Sequence, residues 1–328
     1  MPLSDFSGII PREYSQQIIE EATRLSTVLQ LARTMPMGTR ITELPVPGKL
    51  PAAQWTTGTN LPPGGPGRKF YTDLRLQPQV MTAEEVSAVV AIPEQYLDDN
   101  TVNLWGWVRP QLAQAIATRL DETVLFGGPA PVPTTFPVGG IIAAAYSIPV
   151  TEGIDAVDGV NAAMSAVERQ GLLVTGHSAD IGAKGQFRGV RDQNGSLLLG
   201  TEQVGGMERP TLYGAPIAYS AYTQTPLTTD FITGAWEYLV IGVRQDIRFR
   251  IDPSGVIASP DGQQVLVSGF QDNVVPAKVW ARFACTIVKP VTPRVSGGAI
   301  PFARVNLSTL TPPAAPLDEP ATASRARK

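Results

Sequence analysis

Apolar residues in the first stretch of the chain, 11–33, recur at three- and four-residue spacing. Tyr14, Ile18, Ala22, Leu25, Leu29 and Ala32 form one stripe, the pattern of an amphipathic helix. Pro11 suits the first helical position, where its missing N–H costs nothing. "MPMG" at 35–38 ends the run.

The period then changes. "ITELPVPGKL" (41–50) reads as extended chain. Thr72–Leu76 and Val80–Ile92 have strand character. In the second piece Val80, Thr82, Val86, Ala88, Val90 and Ile92 share one face at period two. Within the run from 45 to 79 lies "LPPGGPGRKFYTDL" (61–74), six of whose first eight residues are Pro or Gly. A loop of this length without its own structure is uncommon inside a compact domain. The pattern describes an arm over about 45–79, two extended limbs joined by a Pro/Gly tip. A two-stranded projection is marginal alone in water, so it needs a surface to lie on.

Helical spacing returns after Pro93. Glu94–Leu97 reads as a short turn, and Asp98, Asp99 and Asn100 offer caps for the next helix. Leu104, Val108, Leu112, Ile116, Leu120 and Val124 repeat every four residues. The spacing predicts one helix of about 25 residues, ended by Gly127-Gly128. Pro110 is expected to kink it or to mark where its regular part starts. Residues 129–153 read as a Pro/Gly connector and hinge. Asp155–Gln170 reads as a helix closed by Gly171, "LLVTG" (172–176) as a buried strand, and 178–192 as a third, short helix capped by Ser178. "QNGS" (193–196) is a turn. Short strands follow in "PTLYGAPIAYS", "EYLVIGVRQDIRFRI", "QQVLVSG" and "AKVWARFACTIVKP". The tail from about 306 is rich in Pro, Ala and Ser and cannot bury a core by itself.

Composition narrows the class. The 328 residues suggest about two domains at roughly 150 residues each. Hydrophobic residues (43%) suffice for a core, and charged residues are sparse at 17%, which leaves uncharged surface for partners. Gly (31) and Pro (30) make nearly a fifth of the chain, below the disordered range of about 25–30%. A net charge of −3 gives no basic field for sequence-specific nucleic-acid binding. The single cysteine, Cys285, lies in the apolar run "VWARFACTIV" and reads as a packed core residue. No signal peptide is expected in "MPLSDFSGIIPREY". "VGGIIAAAYSIPV" is too short and broken to span a bilayer, so assembly in the cytoplasm is expected.

Catalytic and cofactor chemistry finds no constellation. His177, the only histidine, adjoins Ser178 and lies near Asp180, but a triad is made by geometry, not by sequence neighbours. No Gly-x-Ser-x-Gly elbow is present. Neither "GHSADIGAKG" nor "GGPGRK" has the spacing of a phosphate loop. One His and one Cys make no zinc site without carboxylates. Glu84-Glu85 and Asp98-Asp99 fit solvated surface or caps. Trp105 and Trp107 read as core. Arg244, Arg248 and Arg250 alternate with Val243, Ile247 and Phe249, which marks a polar strand face or a subunit contact. No catalytic, cofactor or metal residues are therefore assigned.

The order of pieces resembles the major capsid proteins of tailed phages with the Hong Kong ninety-seven type fold. The resemblance rests on "IPREYSQQIIEEATRLSTVLQLARTMPM", "LPAAQWTTGTNLPP" and "AIPEQYLDDNTVNLWGWVRPQLAQAIATRLDETVLFG". The last closes on an Asp-x-x-x-Leu-x-Gly motif at Asp121, Leu125 and Gly127. "VRDQNGSLLLG", "LYGAPIAYS" and "YLVIGVRQDIRFRI" also look like the family's central domain. The likeness covers roughly residues 8 to 305.

The resemblance implies an α+β fold and a structural protein that self-assembles into an icosahedral head shell around double-stranded phage DNA. It implies an N-terminal arm (1–44), an extension loop over a neighbouring subunit (45–80) and a peripheral domain (81–150) with a spine helix at 98–127. An axial domain (151–265), a peripheral return (266–305) and a tail (306–328) complete it. Contacts between subunits are expected at Trp55, Leu61, Pro62, Pro63, Arg68, Lys69, Phe70 and Tyr71 on the arm, and at Arg244, Arg248 and Arg250. Pentamers and hexamers of the chain, scaffolding, portal and cementing proteins and weak contact with DNA are the implied partners, with no membrane. Scaffolding is expected from a separate protein or a short removed piece, and cross-linking through Lys69 is not expected. The alternatives are an encapsulin-type compartment, which shares the fold, and a hydrolase using Ser178 and His177.

Overall fold

The computed structural model describes residues 26–57, 69, 71–95, 104–148, 156–184, 200–204, 207–220, 230–259 and 263–306. The described residues begin with α1 (Thr27–Leu31), β1 (Arg33–Pro36), β2 (Ile41–Pro47), β3 (Leu76–Thr82) and β4 (Glu84–Pro93). The long helix α2 (Leu104–Phe126) follows, then α3 (Gly140–Ala144), β5 (Tyr146–Ile148), α4 (Ala156–Glu168) and β6 (Gly176–Asp180). Next come β7 (Gly200–Val204), β8 (Met207–Leu212), β9 (Ala215–Ser220), β10 (Asp230–Gly234) and β11 (Leu239–Ile251). The last elements are β12 (Val256–Ala258), β13 (Val265–Ser268), α5 (Gly269–Asp272), β14 (Val274–Ile287) and β15 (Phe302–Asn306).

Two sheets organise these pieces. The first is four-stranded, in the order β1-β11-β14-β4. Its core strand β14 runs antiparallel to both β11 and β4. The long helix lies against one face of it. Leu112, Ile116, Leu120 and Val124, the row that the four-residue spacing picks out, are buried there against Phe249, Val279, Ala281 and Phe283. Alanines 113 and 117 let the helix approach closely. Cys285 is buried in the same core, as its apolar run predicts. Burial alone pushes its thiol up to about 12.

The second sheet is seven-stranded, in the order β5-β15-β10-β6-β9-β8-β7. The amphipathic helix α4 covers it through Val160, Ala163 and Val167, which meet Ile217, Phe231 and Val305. The passage from β10 to β11 joins the two sheets, and Trp236 is buried within it.

The C-terminus of α2 shows why its glycines are there. Gly127 and Gly140 have φ of +79° and +66°, a region L side chains rarely adopt. A Cβ on Gly140 would also sit 2.6 Å from the Gly127 nitrogen and 2.7 Å from the Leu125 carbonyl oxygen. The helix end and α3 therefore meet backbone to backbone.

Several sequence expectations need correction. The first helix does not run unbroken to residue 33. Ser26 is extended (φ −84°, ψ 121°) and starts α1 afresh as its N-cap. Arg33–Pro36 is a strand, parallel to β11, because the edge of β11 offers free backbone partners. The 129–153 connector holds α3 and β5, which pairs with β15. The strand expected at 172–176 lies at Gly176–Asp180 instead, so Ser178 is a strand residue and not a helix cap. β11 pairs with β1 and β14 in the four-stranded sheet, whereas β15 lies in the seven-stranded one. The expected segments 151–265 and 266–305 thus each contribute to both sheets. Residues 11–25, 98–103 and 185–199, with the predictions made on them, lie outside the described residues.

Candidate functional site: the projecting hairpin

The β2–β3 pair stands as a two-stranded element outside the two large sheets. Its antiparallel register runs from Ile41↔Thr82 to Pro47↔Leu76. The limbs are therefore 41–47 and 76–82, set earlier and later than the sequence pattern placed them. Beyond the ladder, Gly48 N donates to Arg75 O (2.7 Å), and Ala52 N to Thr72 Oγ1 (3.2 Å). At the base, Ala83 N donates to Arg40 O (2.8 Å). The Gln79 side chain donates to Thr286 Oγ1 (2.5 Å) and Ile287 O (3.1 Å), tying the hairpin to β14.

Directly paired residues share a face. One face holds Met81, Leu44 and Val46, which pack on Met37, Val240, Ala284 and Val288. The other face holds Ile41, Glu43, Pro45, Pro47, Leu76, Pro78, Val80 and Thr82. It bears a single charge, Glu43. Ile41 is 57% exposed, Leu76 58% and Val80 55%. Val80 was expected to share one face with Val86 and Ile92. It has their parity, but the four-stranded sheet and its helix end before position 80, and it is left largely uncovered by the described residues. Pro45, Pro47 and Pro78 remove backbone donors and blunt the hairpin's edges.

The predicted contact residues fall into two groups that the structure keeps apart. Trp55, Lys69 and Tyr71 lie on the arm beyond the ladder, all exposed, with Trp55 87% exposed. Leu61, Pro62, Pro63, Arg68 and Phe70 lie outside the described residues. Arg244, Arg248 and Arg250 are exposed on β11. Arg248 stands opposite Trp280 and Arg250 opposite Lys278. Arg250 pairs with Asp252 at 3.2 Å. Arg244 sits at an irregularity between Val243 and Gln245. Glu84 and Glu85, read as solvated, form ion pairs with Arg40 and with Lys278 and Arg282.

Residues Ile41, Leu76 and Val80 escaped the sequence reading. The usable signal was in "ITELPVPGKL", where both parities are largely apolar. A strand with two apolar faces expects cover on both.

His177 and Ser178 do not form a reactive pair. They are consecutive in β6, so their side chains point to opposite faces. Both are buried. His177 Nε2 is 3.1 Å from Leu212 O, and burial pushes its imidazole down to about 4, leaving it neutral. No described group of three or more His, Cys, Asp or Glu could hold a metal ion. No described helix is long and apolar enough to cross a membrane.

A long helix across one sheet, a second sheet beside it and a bare apolar hairpin define a subunit of a shell. The chain belongs to the Phage capsid family, whose sequence model matches residues 7–291. It is 25% identical over 291 residues to the probable major capsid protein gp17 of Mycobacterium phage D29, covering 85% of this chain and 86% of that one. A solved chain from Mycobacterium phage Adephagia superposes with a TM-score of 0.68 at 25% identity, covering 86% of this chain and 89% of that one. One from Mycobacterium phage Cain gives 0.68 at 24%, covering 91% and 98%. The fold is of the Hong Kong ninety-seven type, and the protein is a structural component of a phage capsid that assembles with copies of itself. The encapsulin and hydrolase alternatives are not favoured.

Proposed function

We propose that this chain forms the icosahedral head shell around double-stranded DNA, as pentamers and hexamers assembled in the host cytoplasm. The observation that carries the reading is the outer face of the β2–β3 hairpin. It is apolar and bare in the single chain, yet it belongs to a two-stranded element that needs support. We assign 41–82 as the arm that lies on a neighbouring copy. The helix α2 with the four-stranded sheet is the peripheral part, and the seven-stranded sheet is the axial part. The role is structural, not catalytic. Scaffolding, portal and cementing proteins, and weak phosphate contacts with DNA, are the further partners that such a shell calls for.

Each contact can be weak because it repeats around closed symmetry. Negative-stain microscopy of the expressed chain is expected to show closed shells or capsomer rings. Deleting Leu61–Arg68 is expected to preserve the folded subunit and impair particle formation. A dispersed parental monomer at high concentration, or a deletion that unfolds the subunit, would contradict this reading.

A further inference from the structure

A carboxylate is buried on α2 with no structural excuse in its own helix. Asp121 is 2% exposed. Its Oδ1 accepts from Ser26 Oγ (2.6 Å) and Val28 N (3.2 Å), and its Oδ2 accepts from Thr27 N (2.7 Å). Ser26 Oγ in turn accepts from Leu29 N (3.0 Å). The first amides of α1 are thus satisfied by a residue 94 positions away. These bonds hold the point at which residues 1–25 join the described domain.

We propose that Asp121 is a positioning residue for assembly, fixing where the N-terminal segment leaves the body of the subunit. The role rests on the shell reading, since it matters only if that segment must reach another copy. The chemistry is specific. Both carboxylate oxygens are used as acceptors, and all the partners are donors. An asparagine of the same shape would turn one of these acceptors into an N–H₂ group aimed at a donor. Alanine would leave three buried donors without acceptors. Either change costs more than the loss of one bond, because the unpaired groups remain desolvated.

Burial sets the electrostatics of this carboxyl. α1 ("TVLQL") and α3 ("GIIAA") carry no titratable side chain. On α2, Glu122 is the charge acting on Asp121, and it raises its proton affinity. Glu122 itself faces Arg119 at 3.7 Å. Burial is the dominant cause and lifts the Asp121 carboxyl from 3.8 to about 6, against the opposing hydrogen bonds from Ser26, Thr27 and Val28.

The test is hydrogen exchange on the full-length protein, reading protection factors at Thr27 and Val28 alongside β14. Asp121→Asn is expected to lower protection at 27–28 by at least about tenfold while β14 stays protected. Ser26→Ala, which leaves the carboxylate intact, is expected to loosen the same amides less. Particle yield is expected to fall in both variants. Unchanged protection at 27–28 in both, or loss that is equal in β14, would overturn the proposal. If Asp121→Asn does not fold, Ser26→Ala decides alone. Loosened 27–28 amides with normal particles would reject the assembly role and leave the shell reading standing.

Discussion

Leu76→Lys combined with Val80→Lys is expected to give a subunit that folds normally and does not assemble. Both side chains are more than half exposed in the single chain, so the domain core loses nothing. Surface changes of this kind usually alter stability by about 0.5 kcal/mol or less. A lysine at 80 would even stand opposite Glu43, an acceptable cross-strand pair. In the shell the same positions would be covered. The part of each side chain still exposed, just over half, then contributes on the order of 1 kcal/mol or somewhat more that the variant lacks. Each buried ammonium without a partner adds a penalty of several kcal/mol. The loss recurs in every copy. Sedimentation and microscopy should show free subunits or capsomers, with the parental unfolding midpoint. Parental particle yield would mean that this face meets nothing.

Trp236→Ala has the largest effect expected on the fold itself. Trp236 is 1% exposed and stands where β10 of one sheet passes to β11 of the other. Its indole N–H donates to Gly176 O (2.9 Å), and its backbone N–H to Thr175 Oγ1 (2.9 Å). Its ring meets Phe302 edge-on, with centroids 5.3 Å apart. Truncation removes a large buried ring and leaves Gly176 O without its donor. The expected cost is about 3–5 kcal/mol, read as a lower denaturant midpoint. Trp236→Phe keeps most of the apolar contact and is expected to lose mainly the hydrogen bond, about 1 kcal/mol. A cost below about 1 kcal/mol for the alanine variant would show that this junction is not a shared core.

What the sequence made legible follows from periodicity. The four-residue row of α2 and the period-two face of β4 read correctly because one neighbour covers each of them. Ser26 was missed because its extended conformation depends on a carboxylate 95 residues away, which no local window contains. Gly176–Asp180 was misplaced because polar letters in "GHSAD" disguise a strand buried between β10 and β9. The Asp121, Leu125 and Gly127 motif was visible as letters, but its reasons appear only in three dimensions. They are a latch, a core contact and a backbone crossing. The hairpin's outer face was not legible as exposed, because which residues cover a strand face is a tertiary fact that no local window contains. Arg244, Arg248 and Arg250, though correctly placed on a strand face, remain candidates for contact only.

The most direct measurement of the central claim is thiol accessibility at position 80. Val80→Cys introduces one exposed thiol, while the natural Cys285 is buried, with its thiol pushed up to about 12, and so is unreactive. Alkylation rates of the introduced thiol are compared in free subunits and in assembled shells. The account predicts rapid alkylation in the free subunit and strong protection in the shell. Equal rates in the two states would contradict it.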